Sequence, residues 1–522
     1  MPIEPKTDIY LCATHINDLN NQVNFSSLSA QYNYFRSTAK HSYGSTTYIE
    51  PIDGEIDWYA TAAEIMDCNY LMFRNTAYSS KWYYAFITEI KPTNSSNSCT
   101  IAFKIDPWNT FYWDFSIKEC YVLREHTATD AIGDHTLPEP VDLGPMVNNL
   151  NFNNKRYSYK TAIALALGLN TSPPGEVPGY IVQNNYTANS IFIYHVDSNG
   201  ASALNSKIHE ILTTEGTISQ VYLIPVPDNA SFPDGADILG LYPTQFPYHE
   251  YNSFSAPNTL NEYVPKNNKL FTYPYCYLEI TNNLGSIAEY AFEYFYNNVA
   301  KFRTDYTFSC PGKAYIHPVQ GTISSPGYSM NAYNDGVETP PFPLCAYGSD
   351  SYAQWVSEQG NAFTISTLAG IAGTAVGIMS ANPLLVAGGL TSALSTVSNL
   401  TQSYTDLKRL ERRSNVVQGS GSSISCVSGD FTGFYISCKC PKYEYLKKID
   451  DFFDRYGYSV NSVKKPEINS RPQWNYIKTQ GAIVTGGIPK MFLDQICQML
   501  DNGCTIWHNP SNVGNYSLNN KP

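Results

Sequence analysis

The sequence predicts a mainly β protein with some α-helix, an α+β arrangement, and three features of its composition support this class. Tyr occurs 42 times and aromatic residues make up 14% of the chain, and such residues suit pleated, half-buried strands. Hydrophobic residues reach 43% while charged residues are only 15%, so a large core can form. Gly and Pro, at 33 and 32 copies, are too few for a fibrous repeat. A length of 522 residues suggests three or four domains.

The N-terminal region, residues 1–145, is interpreted as strands with one helix. The segments KWYYAFITEI (81–90) and CTIAFKID (99–106) flank the polar stretch TNSSNS, a pattern that predicts a β-hairpin with a longer loop. Before them, apolar residues at spacings of three and four predict a short amphipathic helix. These residues are Ile56, Tyr59, Ala63 and Met66.

The middle region, residues 146–357, is rich in Pro, Asn, Gly and Tyr. VYLIPV (221–226) and YPYCYLEIT (273–281) predict short strands. No internal period of 20 to 50 residues is visible, so a solenoid or a propeller is not expected. This region is interpreted as an irregular β-rich domain.

The C-terminal region contains two predicted helices, each followed by a glycine. One has apolar residues at helical spacing and Gly457 as its stop: Leu446, Ile449, Phe453 and Tyr456. The other begins near Pro489 and ends before Gly503, with one apolar face: Phe492, Ile496 and Met499. WNYIKT and AIVTGG, between the two helices, predict strands.

The most informative feature is an apolar segment, residues 359–405, which has 47 consecutive residues without Asp, Glu, Lys or Arg. Asn382 and Pro383 divide it into two arms of about 17 residues, each roughly 25 Å long as a helix at 1.5 Å per residue. A buried hairpin of core helices and a membrane-active segment are both possible. The glycines disfavour an ordinary core helix in water, and Gly373 and Gly377 form a small-xxx-small pattern.

Three features favour the membrane-active interpretation over the core hairpin: the arm length, the glycine content, and an amphipathic second arm. We therefore predict that residues of both arms enter a bilayer. They are Phe363, Leu368, Ile371, Gly373, Val376, Gly377, Ile378, Met379, Pro383, Leu384, Leu385, Val386, Leu390, Leu394, Val397 and Leu400.

No arrangement of residues indicates an active site, so we expect no enzyme, cofactor or metal. The phosphate-binding GxxxxGK, the nucleophile motif GxSxG and the zinc motif HExxH are all missing. Arg124 and Glu125 are interpreted as a local charge pair. Cys438 and Cys440, near Cys426, are interpreted as structural thiols, because no second pair stands at zinc-ligand spacing. Three carboxylates of the first C-terminal helix are expected on a solvated face: Asp450, Asp451 and Asp454.

The net charge of −12 is uneven along the chain. Residues 1–150 carry −9, residues 151–358 carry −8, and residues 359–522 carry +5. An acidic body argues against tight DNA binding, which requires many Lys and Arg contacts to phosphates. The basic residues of the last region, such as Lys464, Lys465 and Arg471, are expected at subunit contacts or on the outside. The N-terminus shows no signal-peptide pattern, so synthesis in a cytoplasm with reduced thiols is expected.

Several stretches together resemble the tail knob, or distal tail tube, proteins of short-tailed phages of the Picovirinae type. They occur in matching order and cover most of the chain. They are KWYYAFITEI, YVLREH (121–126), YPYCYLEIT, RYGYSVNSVKKPEINSRPQWNYIKT (455–479) and LDNGCTIWHNPSNVGNYSL (500–518).

The resemblance implies a homo-hexameric ring in the virion tail, with a β-rich tube that ends in a β-rich knob. Residues 1–145 and 406–522 would form the tube domain, residues 146–357 the knob, and residues 358–405 the hydrophobic loop. Family members carry such loops to plug the lumen and then to enter the host membrane during genome ejection. The implied partners are an upstream tail or collar protein, the host cytoplasmic membrane, and genomic DNA that passes without specific binding.

The alternative is a receptor-binding tail protein that recognises host surface glycans through aromatic loops such as YPTQFPYHEYNSF (242–254). A cell-wall hydrolase is disfavoured because no carboxylate or Cys/His arrangement was found. A secreted pore-forming toxin would require a signal peptide.

Overall fold

The structure is a computed structural model. It describes residues 6–46, 49–75, 81–93, 97–169, 181–183, 186–195, 197–213, 217–227, 230–238, 249–282, 285–308, 312–319, 336–339 and 433–522.

Strands predominate in the described part of the chain. In chain order they are β1 (Thr7–Cys12), β2 (Asn21–Val23), β3 (Ala39–Thr46), β4 (Gly54–Trp58), β5 (Tyr70–Asn75), β6 (Tyr83–Pro92), β7 (Cys99–Ile105), β8 (Phe115–Ile117), β9 (Cys120–Glu125), β10 (Met146–Asn148), β11 (Lys155–Ser158), β12 (Lys160–Leu169), β13 (Ile181–Gln183), β14 (Tyr186–His195), β15 (Thr217–Val226), β16 (Ala236–Asp237), β17 (His249–Ser255), β18 (Tyr277–Thr281), β19 (Ile287–Tyr290), β20 (Val299–Thr307), β21 (Lys313–Pro318), β22 (Val337–Glu338), β23 (Gly433–Pro441), β24 (Tyr458–Lys464), β25 (Trp474–Gln480), β26 (Val484–Gly486) and β27 (Cys504–Trp507). The α-helices are α1 (Leu28–Ser37), α2 (Pro107–Phe111), α3 (Ser198–Thr213), α4 (Tyr443–Tyr456) and α5 (Lys490–Asn502).

The chain forms two compact units, and each is made of separate stretches of sequence. Unit 1 combines residues 1–147, 258–275 and 440–522, and unit 2 combines residues 148–257 and 276–439. The domain boundaries predicted from the sequence stay predictions.

A six-stranded antiparallel sheet in unit 1 has the order β3-β1-β5-β6-β7-β4. The predicted hairpin is its β6–β7 pair, in which Ala85 lies opposite Ile105 and Pro92 opposite Cys99. Alternating residues of β7 are buried because one face of the sheet covers a core that includes Leu71 and Phe73. The hairpin prediction is confirmed.

The predicted helix around Ile56 is wrong. Residues 54–58 instead form β4, which pairs with the free edge of β7 and sets Ile56 opposite Ile101. Tyr59 and Met66, which the prediction placed on the apolar face of this helix, are 78% and 79% exposed. The pairing of this stretch with the edge of β7 is therefore more favourable than the short amphipathic helix that the apolar spacing predicted.

A second sheet of unit 1 has the order β2-β27-β25-β9-β24. The apolar face of helix α5 packs into a core that it shares with this sheet. Phe492 of α5 contacts Phe111, with 4.8 Å between ring centroids. Pro489 precedes the helix, and Gly503 follows it with a φ of +94°. This helix and both of its ends are confirmed as predicted.

The described residues of unit 2 form three antiparallel sheets. One has the order β13-β14-β12-β15, with β16 paired to β14, and a second has the order β17-β20-β21-β22. In the third, β23 lies between β11 and β18, and β19 pairs with β18. The predicted strands at 221–226 and 273–281 correspond to β15 and β18. The mainly β class with some helix is therefore confirmed.

Candidate functional site

All sixteen predicted membrane-insertion residues lie outside the described residues. The nearest described strands are β22 before them and β23 after them, and both belong to unit 2 apart from the last two residues of β23. Among the helices that the structure describes, none has the length and hydropathy needed to cross a bilayer. The described residues that follow the apolar segment begin with strand β23 and helix α4.

Strand β23 begins the return and is almost entirely buried. It carries Cys438, whose sulfur lies 3.6 Å from the sulfur of Cys276. Both thiols and that of Cys440 are fully buried, as expected for small apolar side chains that fill a core. Cys426 lies outside the described residues.

Helix α4 follows β23 and buries two carboxylates among its apolar residues. Asp450 is 0% exposed and Asp454 is 5% exposed, so the predicted solvated face is wrong for both. Asp451, between them, keeps 46% of its side chain exposed. The spacing of Leu446, Ile449 and Phe453 predicted the helix correctly. It did not indicate that two carboxylates lie on the buried face of the helix.

Asp450 can be buried because its carboxylate accepts four hydrogen bonds from one distant stretch of chain. Oδ2 accepts from the hydroxyl of Tyr263 at 2.8 Å and from the backbone N–H of Lys266 at 2.6 Å. Oδ1 accepts from the backbone and side-chain N–H groups of Asn267 at 3.1 and 2.8 Å. A buried carboxylate without such partners would be prohibitively costly.

The stretch that supplies these donors, residues 258–275, is here named the inserted segment, because it joins unit 1 while the chain on either side of it belongs to unit 2. Two more carboxylates of unit 1 hold it: that of Asp130, which is half-buried, and that of Glu139, which is buried. Asp130 accepts from the backbone N–H of Asn268 at 3.0 Å. Glu139 accepts from the ammonium of Lys269 at 2.6 Å. These three carboxylates thus bind five residues of the inserted segment: Tyr263, Lys266, Asn267, Asn268 and Lys269.

The buried ionisable groups have shifted pKa values whose main cause is desolvation. Burial raises the pKa of Asp450 because its hydrogen bonds offset only part of the desolvation cost. Burial also raises the pKa of Asp454, although the nearby Lys266 ammonium acts in the opposite direction. Burial, assisted by the guanidinium of Arg124, lowers the pKa of Lys269.

His126 connects β9 to the end of helix α4 and is fully buried. Its Nδ1 accepts the backbone N–H of Tyr476 at 2.7 Å, so Nε2 carries the proton toward the carbonyl of Asp454 at 3.1 Å. Burial and the positive charge of Arg471 lower the pKa of His126 to about 3. The imidazole is therefore a neutral structural link and not a proton-transfer group at pH 7.

Arg124 and Glu125 do not pair with each other, which corrects the local charge pair predicted from their adjacency. Successive residues of a strand point to opposite faces. The guanidinium of Arg124 donates to Glu139 and, at 2.6 Å, to the carbonyl of Gly457. The carboxylate of Glu125 binds the ammonium of Lys464 at 2.6 Å.

Gly457 closes helix α4 in a conformation that only glycine adopts easily, with a φ of +64°. A Cβ at this position would lie 2.2 Å from the carbonyl oxygen of Glu125. The helix therefore ends where its backbone meets β9 directly.

The basic residues of the C-terminal region were expected at subunit contacts or on the outside. Lys465 is exposed, but Arg471 is only 4% exposed, and its Nε donates to the carbonyl of Thr127 at 3.0 Å.

This arrangement is suited to holding a chain in place rather than to chemistry. Its carboxylates are occupied by fixed donors, and its histidine is neutral. Sequence reasoning found the helix but missed the anchoring groups, since the donors to Asp450 lie more than 180 residues away.

Comparisons with known proteins define the class of this chain as a phage tail protein. A family model of the caudoviral major tail protein N-terminus matches residues 6–117. A family model of the C-terminal domain of the Bacillus phage phi29 tail knob protein gp9 matches residues 244–521, more than half of the chain. The tail knob protein gp12 of bacteriophage C1 has a similar fold, with a TM-score of 0.57 at 12% identity and 97% coverage of both chains.

The match to the tail knob model over more than half of the chain defines the particular family, and two relatives resemble this chain along nearly its whole length. The tail knob protein gp9 of Bacillus phage phi29 is 23% identical to this chain, and that of phage B103 is 24% identical. Each alignment covers 97% of this chain and 96% of the relative. The chain belongs to the tail knob protein family and is a structural component of a phage virion tail. The family resemblance predicted from the sequence is confirmed. The names of these relatives describe structural proteins, and the expectation that this chain is no enzyme stays a prediction.

Proposed function

We propose that six copies of this chain form the distal tail tube and knob, a conduit through which the genome leaves the virion. Membership in the tail knob family is the observation that carries this proposal. A tube requires a head-to-tail interface whose rotation closes into a ring. In such a ring residues 1–145 and 406–522 form the tube, and residues 146–357 form the knob. An upstream tail or collar protein would bind one end.

The charge distribution supports a conduit that does not hold DNA. Residues 1–358 contain 18 Lys and Arg against 35 Asp and Glu. A lumen lined with basic side chains would bind phosphates and slow the passage of DNA. An acidic or neutral wall instead lets the genome pass without specific contacts.

The apolar segment, residues 359–405, is the plug of the closed tube and the device that enters the host cytoplasmic membrane after release. Its 47 residues without a charged side chain would form an apolar patch larger than a soluble surface tolerates. Six copies packed together would cover one another. In lipid the arms would become helical, because the backbone must satisfy its own hydrogen bonds there, and Pro383 would mark the turn between them.

The buried carboxylates around helix α4 support the part of this proposal that requires a tube wall that stays folded. A segment that leaves a plug and enters a bilayer must be tied to a wall that stays folded. Buried Asp450 and half-buried Asp130 fix the inserted segment through hydrogen bonds to the backbone of Asn267 and Asn268. This stabilisation of the wall by Asp450 and Asp130 does not require either side chain to contact the apolar segment.

Dye release from liposomes tests the membrane part of the proposal. The variants are Leu368→Asp with Ile371→Asp, and Leu390→Asp with Leu394→Asp. An aspartate at the bilayer centre costs about 2.5–3.5 kcal/mol on insertion scales. We therefore expect both double variants to lose most of the dye release shown by the parent chain, while rings still form in electron micrographs.

The matched control places two aspartates at exposed apolar positions outside the segment, Leu150→Asp with Ile287→Asp. These side chains are 77% and 61% exposed, so the control should release dye as the parent does. Equal release by the parent and both segment variants would reduce the segment to a plug or core element. A parent chain that releases no dye would also count against membrane entry.

A further inference from the structure

Three side chains of different chemical type meet beside the outer strand of the six-stranded sheet of unit 1. They are His41 of β3, and Asp67 and Cys68 of the turn that precedes β5. One donor atom from each lies within 4.8 Å of the others. The carboxylate oxygen of Asp67 and the sulfur of Cys68 are 3.7 Å apart. Because 26 residues separate His41 from Asp67, no sequence spacing indicated this cluster.

These three donors are the set that zinc takes in proteins: an imidazole nitrogen, a carboxylate oxygen and a thiolate sulfur. Ligand bonds of about 2.0–2.3 Å at tetrahedral angles place donor atoms roughly 3.5 Å apart. The 3.7 Å between the Asp67 oxygen and the Cys68 sulfur is close to this value. Magnesium and calcium prefer oxygen donors, so the thiol and the imidazole favour a transition metal.

The turn that presents Asp67 and Cys68 is fixed by its own hydrogen bonds. The backbone and hydroxyl of Thr61 donate to the carboxylate of Glu64 at 2.9 and 3.0 Å. The backbone N–H of Cys68 donates to the carbonyl of Ile65 at 3.0 Å. Donors on such a turn need little rearrangement to bind an ion, and preorganisation of this kind favours binding.

A contact between His41 and a carbonyl group that is not one of the three donors also fits a metal site. Nε2 of His41 lies 3.2 Å from the carbonyl oxygen of Glu64. Metal-binding histidines usually donate their second ring N–H to a carbonyl or carboxylate, which orients the ring. Cys68 is 3% exposed while Asp67 is exposed, so one side of the cluster is closed and the other is open to water.

We propose that His41, Asp67 and Cys68 bind one zinc ion, with water in the fourth position. The ion would tie β3 to the turn before β5. Among the strands that the structure describes, β3 lies at an edge of its sheet and pairs only with β1. A cross-link at this edge would stabilise the folded state through the free energy of binding. This proposal does not depend on the proposed membrane function.

Cobalt is the probe, because Co²⁺ occupies zinc sites and a cobalt–thiolate bond absorbs light. The full chain, stripped with a chelator, is titrated with Co²⁺ alone and then with Zn²⁺. We expect a charge-transfer band that saturates at one ion per chain and disappears on addition of Zn²⁺. Cys68→Ser should abolish the band, and His41→Gln and Asp67→Asn should each weaken cobalt binding at least tenfold.

Cys497→Ser is the matched control, because this half-buried thiol lies elsewhere in unit 1, and its band should be unchanged. If Cys68→Ser does not fold, His41→Gln and Asp67→Asn carry the test, since both leave the thiol in place. The proposal is overturned if the parent shows no band, or if the band keeps its affinity in both of these variants. A band lost in Cys497→Ser would assign the cobalt to a different thiol.

Discussion

Helices α4 and α5 look alike in sequence but are held by different forces. Each has apolar residues at helical spacing and a glycine just after its end. Helix α5 buries Phe492, Ile496 and Met499 and no charged side chain among its buried residues. Helix α4 buries Asp450 and Asp454 beside its apolar residues. Apolar periodicity is therefore sufficient to find a helix, but it does not show what the helix binds.

The two glycines give the largest expected contrast. At Gly457 an added Cβ would lie 2.2 Å from a backbone oxygen of β9, which cannot move without disturbing the sheet. At Gly503 the nearest atom, also at 2.2 Å, is the hydroxyl end of Tyr476, a side chain that can turn away. We expect Gly457→Ala to reduce the free energy of unfolding by about 4 kcal/mol or more and Gly503→Ala by roughly 1–2 kcal/mol. Urea denaturation followed by tryptophan fluorescence measures both, and equal losses would contradict the contact with β9.

The second contrast replaces one buried anchor in each helix. Asp450→Ala removes the acceptor of four hydrogen bonds, and Ile496→Ala leaves a cavity; each should cost about 3 kcal/mol. Only Asp450→Ala should loosen the inserted segment. Hydrogen exchange at the amides of Lys266 and Asn267 should become faster in that variant and remain slow in Ile496→Ala. Unchanged exchange in Asp450→Ala would show that the carboxylate does not hold the segment.

The third contrast concerns pH, through His126 at the end of α4. Its pKa of about 3 in the folded chain lies below the ordinary value near 6.5, so the unfolded chain binds the proton more readily. This contribution to stability is complete above pH 6.5 and is lost as the pH falls toward 3, by roughly 3 kcal/mol at pH 4. His126→Gln should be less stable at pH 7 but should lose less stability between pH 7 and pH 4. A stability curve for His126→Gln that runs parallel to that of the parent between pH 7 and pH 4 would contradict this assignment.

The smallest effect is expected at the neighbour of Asp450 on the same helix. Asp451 lies 3.6 Å from the Lys266 ammonium with both side chains substantially exposed. Exposed ion pairs contribute about 0–1 kcal/mol. Asp451→Asn should therefore change the free energy of unfolding by less than about 1 kcal/mol in urea denaturation. A loss as large as that of Asp450→Ala would mean that the two carboxylates do not differ in environment as described.

The sequence was informative where structure depends on neighbouring residues. The β6–β7 hairpin, helix α4 with Gly457, and helix α5 with Gly503 were all predicted, because periodicity and chain-end signals are local. The prediction of a helix around Ile56 was wrong because this stretch pairs as a strand with the edge of β7, which is more than 40 residues away in the sequence. The site was largely hidden for the same reason. A carboxylate such as Asp450 can be buried only when distant donors meet it, and no local pattern reports those donors.

We propose above that residues 359–405 leave the tube and enter a bilayer while the wall stays folded. An environment-sensitive fluorophore at position 390, introduced as an unnatural amino acid, tests this with liposomes whose acyl chains carry a bromine quencher. We expect strong quenching at position 390, none at the control position 287, and unchanged hydrogen exchange at Lys266 and Asn267. Liposomes that leak dye while position 390 remains unquenched would contradict it.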